Sequence, residues 1–152
     1  MSDTITPISF LDEDLSSVDT SSPIFKGNQL LELEIVDVFM EKTKDGLSDR
    51  LTIKTKTVRA YPGTKESISA NFPVTQYIGL TPLTGRIDKK DWAEEDIKKS
   101  LAKFLEAVEG KATKLSPMER FKGKHIMVKV GITPATDKYP NEGNNFTFVK
   151  AG

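Results

Sequence analysis

Cations and flat rings, set at strand spacing, are the side chains here whose types point to chemistry, and that chemistry is binding. Arg50, Lys54 and Lys56 fall on one face of the strand-like run 49–59 by period two, with Arg59 and Tyr61 just beyond. Phe146 and Phe148 share one face of the closing run 145–150, and Lys129 lies on the polar face of the run 125–132. A cationic groove lined with rings on which bases stack is how single-stranded nucleic acid is held. Each residue alone also has a structural explanation. Cations on a strand make an ordinary solvated face that discourages edge pairing, and phenylalanines are usually core. Their combination is what points to binding.

Catalytic constellations are missing. His125 is the single histidine, and nothing in its neighbourhood supplies a nucleophile and an orienting acid. With no cysteine, disulfides and thiolate metal sites are excluded, and one histidine makes a poor zinc site. Gly63-Thr64-Lys65 and Gly123-Lys124 lack the glycine spacing and the Ser or Thr of a phosphate loop. Asp12, Glu13 and Asp14 lie in a segment with no core of its own, and Glu32 and Glu34 read as a solvated strand face. The expectation is a protein that is not an enzyme and carries no cofactor.

The elements that must position the binding residues read as five short strands and one helix. In 29–42, Leu31, Leu33 and Ile35 alternate with Glu32 and Glu34, and then Val36, Val38 and Met40 carry the apolar register; the change of phase predicts a bulge near Ile35-Val36. Lys44-Asp45-Gly46 signals a hairpin into the run 49–59. After the turn Tyr61-Pro62-Gly63, residues 66–72 read as a third strand, and 73–90 as an irregular connection. Residues 91–109 predict a helix, opened by Asp91 with Glu94 and closed by Gly110; Ile97, Leu101, Phe104, Leu105 and Val108 form its packed face. Residues 116–121 suggest a short helical turn. Ile126, Val128, Val130 and Ile132 then face inward on the fourth strand, and 145–150 close the sheet after a polar loop. Five strands with the helix before the last hairpin are the layout of an oligonucleotide-binding (OB) fold, a mainly β, five-stranded Greek-key barrel.

The chain has 152 residues and a formal net charge of zero, which conceals an asymmetry. Residues 1–22 hold five acidic residues and no Lys or Arg, leaving 22 basic against 17 acidic residues in the remainder. The expected division is a flexible acidic arm, 1–24, and an OB-like domain, 25–152. No apolar run nears the ~20 residues of a membrane helix, and MSDTITPISF lacks the basic start and apolar stretch of a secretion signal. A cytoplasmic protein is expected, and the sequon Asn145-Phe146-Thr147 is then only the start of a strand.

The helix followed by FKGKHIMVKVGITPATDKYPNEGNNFTFV resembles a family of small proteins of tailed phages and prophages. Shared features are a Gly-Lys entry to a V-x-V strand, a charged loop with Tyr and Asn, and a short closing strand. In the N-terminal half, an acidic start followed by LLELEIVDVFMEKTKDG and a second amphipathic strand also fits. The resemblance implies a single-stranded DNA-binding or recombination-accessory protein of phage replication, acting in the host cytoplasm. On this reading Arg50, Lys54, Lys56, Arg59 and Lys129 contact phosphates, and Tyr61, Phe146 and Phe148 stack on bases. The chain would assemble as a homo-oligomer and recruit replication or recombination enzymes through its acidic arm. It lacks the acidic C-terminal tail of many single-strand binders, ending FTFVKAG. Two rival readings are a phage structural or assembly protein that builds a ring or lattice, and an adaptor whose acidic arm mimics nucleic acid.

Overall fold

The computed structural model describes residues 14, 16, 23–85, 90–137 and 142–151. Most of the acidic arm therefore lies outside the described residues, as do 86–89 of the long connection and 138–141 of the last loop. The chain folds as five antiparallel strands and one α-helix: β1 (Leu30–Lys42), β2 (Asp49–Thr57), β3 (Pro73–Gly79), α1 (Glu94–Glu109), β4 (His125–Thr133) and β5 (Gly143–Val149). A 3-10 turn spans Met118–Phe121. Spatial order in the sheet is β3-β2-β1-β4-β5, so β4 returns to lie beside β1 as in a Greek key. The sheet is open. β3 and β5 end it and do not pair with each other. No helix among the described residues is long and apolar enough to cross a membrane.

The expected bulge in β1 is present. Ile35 pairs with Thr55 and Asp37 with Lys54, leaving Val36 as the extra residue. The extra residue changes the phase, so Leu31, Leu33 and Ile35 before it and Val38 after it all reach the core. Val36 itself is exposed, and so is Met40 at the hairpin end, where it lines a pocket with Leu80. Asp45 holds the β1–β2 turn by accepting hydrogen bonds from the Thr43 hydroxyl at 2.6 Å and the Leu47 N–H at 2.9 Å.

The third strand departs from expectation. Residues 66–72 contribute only an isolated bridge between Ile68 and Tyr61, and β3 occupies Pro73–Gly79, a stretch read from sequence as irregular. The cause is local. Asn71 adopts a left-handed backbone, φ 63°, which breaks any ladder before it. Thr57 then holds the bend: its hydroxyl donates to Ser69 O at 3.0 Å, and its Oγ1 accepts the Phe72 N–H at 2.9 Å. Pro73 is tolerated because it is the first residue of an edge strand. From there Val74 and Ile78 point to the core, while Thr75 and Tyr77 are exposed.

The helix starts at Glu94, later than predicted. Asp96, not Glu94, reaches back, accepting the Ala93 N–H at 2.9 Å, and Asp91 instead accepts the Gly85 N–H at 3.1 Å. Its apolar face is the expected one, with Ile97, Phe104 and Leu105 buried, and Gly110 caps it at φ 80°. Phe104 meets Phe121 at 5.2 Å and Phe148 at 5.6 Å between ring centroids.

Between the open ends of the sheet stands Phe25. Its ring contacts Phe72, just before β3, at 5.7 Å and Phe146 of β5 at 6.1 Å, edge to face in both cases. Its backbone is held on both sides. It bridges to Gly63 on one, and on the other the Asn144 side chain accepts its N–H at 2.7 Å and donates to its carbonyl at 3.0 Å. Gly63 has no room for a side chain, since a Cβ there would stand 2.2 Å from Glu66 O.

Candidate nucleic-acid interface

Period two on β2 sends Arg50, Thr52, Lys54 and Lys56 to the face of the sheet opposite α1. Cross-strand register completes the rows. Arg50 is opposite Glu41, Thr52 lies between Phe39 of β1 and Tyr77 of β3, and Lys54 is opposite Asp37 and Thr75. Two cations rest on the two rings. The Arg50 guanidinium is 4.1 Å from the centre of Tyr77, and the Lys54 ammonium is 5.5 Å from that of Phe39. Tyr77 is 54% exposed, so its ring is open to a ligand. Cation–ring attraction orients these flexible side chains.

The three predicted cations of β2 thus share a face. Lys56 is 3.8 Å from Glu34. Lys129 also lies on this side of the sheet, nearer Lys56 but far from Arg50: it is opposite Leu30, whereas Lys56 is opposite Glu34 and Arg50 opposite Glu41. At about 3.3 Å per residue along β1, the separation from Arg50 is on the order of 35 Å. Arg59 stands 5.4 Å from the Tyr61 ring. Tyr61 is only 6% exposed, and its hydroxyl oxygen accepts the Glu32 N–H at 2.7 Å, so its ring is a core element. Phe146 and Phe148 pair with Val130 and Val128 and turn to the core side, against Phe25 and Phe104. A base could stack on them only by displacing those neighbours. The geometry therefore separates the predicted rings from the predicted cations and supplies Phe39 and Tyr77 in their place.

Sequence reasoning missed both of these rings. Phe39 follows the bulge, and its phase is legible only once the bulge is placed at Val36. Tyr77 sat in the stretch read as irregular, although Val74 and Ile78 around it carry a strand's alternation.

The electrostatics of the face are mixed. Arg50 donates to Glu41 Oε1 from Nε at 3.0 Å and Nη2 at 2.7 Å, and this guanidinium is the main cause that holds the Glu41 carboxyl below its ordinary range. His125 Nδ1 is 2.6 Å from Glu32 Oε2, and Lys122 is 3.6 Å from Asp37. Away from this face, Arg120 and Lys124 meet at Glu109, whose carboxyl is lowered, mostly by Arg120. No group of three or more His, Asp or Glu residues that could hold a metal ion occurs among the described residues. No family model and no curated protein matches the chain.

Proposed function

We propose that the chain binds single-stranded DNA without sequence preference, through the exposed face of β1, β2 and β3. The observation that carries this is the pair of cation–ring contacts on adjacent strands, Arg50 on Tyr77 and Lys54 on Phe39. A phosphate-seeking cation beside a flat ring is the repeating unit of a single-strand site. Sheet order and helix position support the same reading, in which the fold is an OB-like barrel whose seam between β3 and β5 is filled by Phe25 and Asn144 rather than by strand pairing. In such folds the middle strands and flanking loops form the ligand face. Phosphate contacts come from Arg50, Lys54 and Lys56, with Arg59 and Lys129 as outlying contacts for a longer strand. Stacking falls to Tyr77 and Phe39. A role in phage replication or recombination, in the host cytoplasm, belongs to the same proposal and draws on the sequence resemblance.

The test is an anisotropy titration with labelled oligo-dT at about 50 and about 200 mM salt, where counterion release predicts a steep loss of affinity. Absence of binding at the lower salt ends the proposal. A second reading, assembly into a ring or lattice, is favoured by the two edge strands that end the sheet. It predicts a large oligomer in light scattering whose size does not respond to DNA.

A further inference from the structure

We infer that Arg50, Lys54 and the Thr52 hydroxyl form a phosphodiester site whose place is held, in the free protein, by the chain's own Glu41 carboxylate. The inference rests on the single-strand reading and names the group that would seat the backbone. Thr52 is the starting point. It is 2% exposed, and its Oγ1 has no partner at hydrogen-bonding geometry. The other buried threonines of β2 are satisfied, Thr55 donating to Val74 O and Thr57 to Ser69 O. A buried hydroxyl without a partner is costly, so the site is built for an acceptor.

The acceptor nearest to hand is Glu41. Its Oε1 takes both hydrogen bonds from Arg50, whose guanidinium is the main cause that lowers the carboxyl, and it is the diagonal cross-strand neighbour of Thr52, since Arg50 is opposite Glu41 and Thr52 opposite Phe39. One carboxylate thus sits on a two-donor guanidinium beside a buried hydroxyl, with the Lys54 ammonium two places further along the same face of β2, a donor set that suits a phosphate group. The position is reachable, because the Arg50 and Glu41 side chains keep 25% and 31% of their exposure. Exchange of Glu41 for a phosphate would seat the adjoining base beside the open ring of Tyr77.

Titration of the full chain with labelled oligo-dT tests this, using Glu41→Gln, Arg50→Ala, the double variant and Thr52→Val. Glu41→Gln is expected to bind roughly five- to tenfold tighter, the worth of one ordinary net hydrogen bond released, as suits a pair that keeps part of its exposure. Its salt slope should steepen by about one. The gain should vanish in the Arg50→Ala background, and Thr52→Val should weaken Glu41→Gln binding about threefold. Arg50→Lys, which keeps charge but loses the two-donor head, replaces Arg50→Ala if that variant does not fold, and should then shrink the gain. An equal gain with and without Arg50 would reduce the effect to distant charge and overturn the inference. Wild-type binding left unchanged by Glu41→Gln overturns the inference alone, whereas no binding by either protein overturns the single-strand reading with it. Inorganic phosphate at matched ionic strength should not compete; if it displaces the oligonucleotide, the site takes free phosphate and the phosphodiester assignment fails.

Discussion

Tyr77 and Phe39 are the residues on which the proposed function turns, since they are the rings that stand beside cations on the open face. Tyr77→Ala is expected to weaken oligo-dT binding by ~1–3 kcal/mol, the usual worth of one stacked base. Phe148→Ala should instead lower stability and leave the affinity of the folded fraction unchanged, because its ring packs on Phe104. Anisotropy titrations paired with urea melts separate the two effects, and a larger binding loss from Phe148→Ala would reverse the assignment. Glu109 gives a prediction for pH. Its carboxyl titrates below the ordinary glutamate range because Arg120, and after it Lys124, favour the charged form. A group lowered on folding adds stability above its unfolded pKa and loses it as pH falls through the folded value. The stability difference between wild type and Glu109→Gln should therefore be constant from neutral pH to about 5 and shrink below the ordinary glutamate range of about 4.3. A difference that grows on acidification would contradict the geometry.

At the scale of elements, the bulge at Val36 decides which side chains reach the ligand face. Strand side chains alternate with period two and the bulge absorbs one extra residue, Val36, so one further residue turns everything beyond it over. Insertion of one alanine after Val36 should send Val38 outward and Phe39 and Glu41 toward the core, and destabilise the fold by several kcal/mol, as burying unpaired charge does. Val36→Ala, at a position 47% exposed, should stay within about 0.5 kcal/mol of wild type. Denaturant melts of the two variants make the comparison, and equal stabilities would show that the register tolerates a slip. The bulge was legible in the sequence because the apolar phase changes there. β3 was not, because its strand begins at a proline and the turn before it depends on Thr57, which lies 15 residues from Phe72. Such a contact leaves no local signature.

For the whole molecule, the central question is what holds an open sheet in shape. Phe25 lies between Phe72 and Phe146 and is tied by backbone contacts to Gly63 and Asn144. Phe25→Ala should cost ~3–5 kcal/mol, the range for a buried phenylalanine. Asn144→Ala should cost less but act on the same seam, so the two losses should not add. A double-mutant cycle in urea measures that coupling, and strict additivity would mean that the seam does not behave as a unit.

Alternation and periodicity in the linear chain were enough to establish a mainly β protein with one helix before its last hairpin, the core faces of β1 and β4, and the shared face of Arg50, Lys54 and Lys56. These properties depend on residues two to four positions apart, where local geometry dictates the outcome. Which rings accompany those cations was decided in three dimensions. Phe146 and Phe148 pack inward because Val130 and Val128 oppose them, and Tyr77 faces outward because Thr52 does. Cross-strand register joins residues far apart in sequence, and beyond the bulge, which the apolar phase reveals, it is set by edge turns and the packing of Phe25, neither of which is written in the spacing of the residues it aligns.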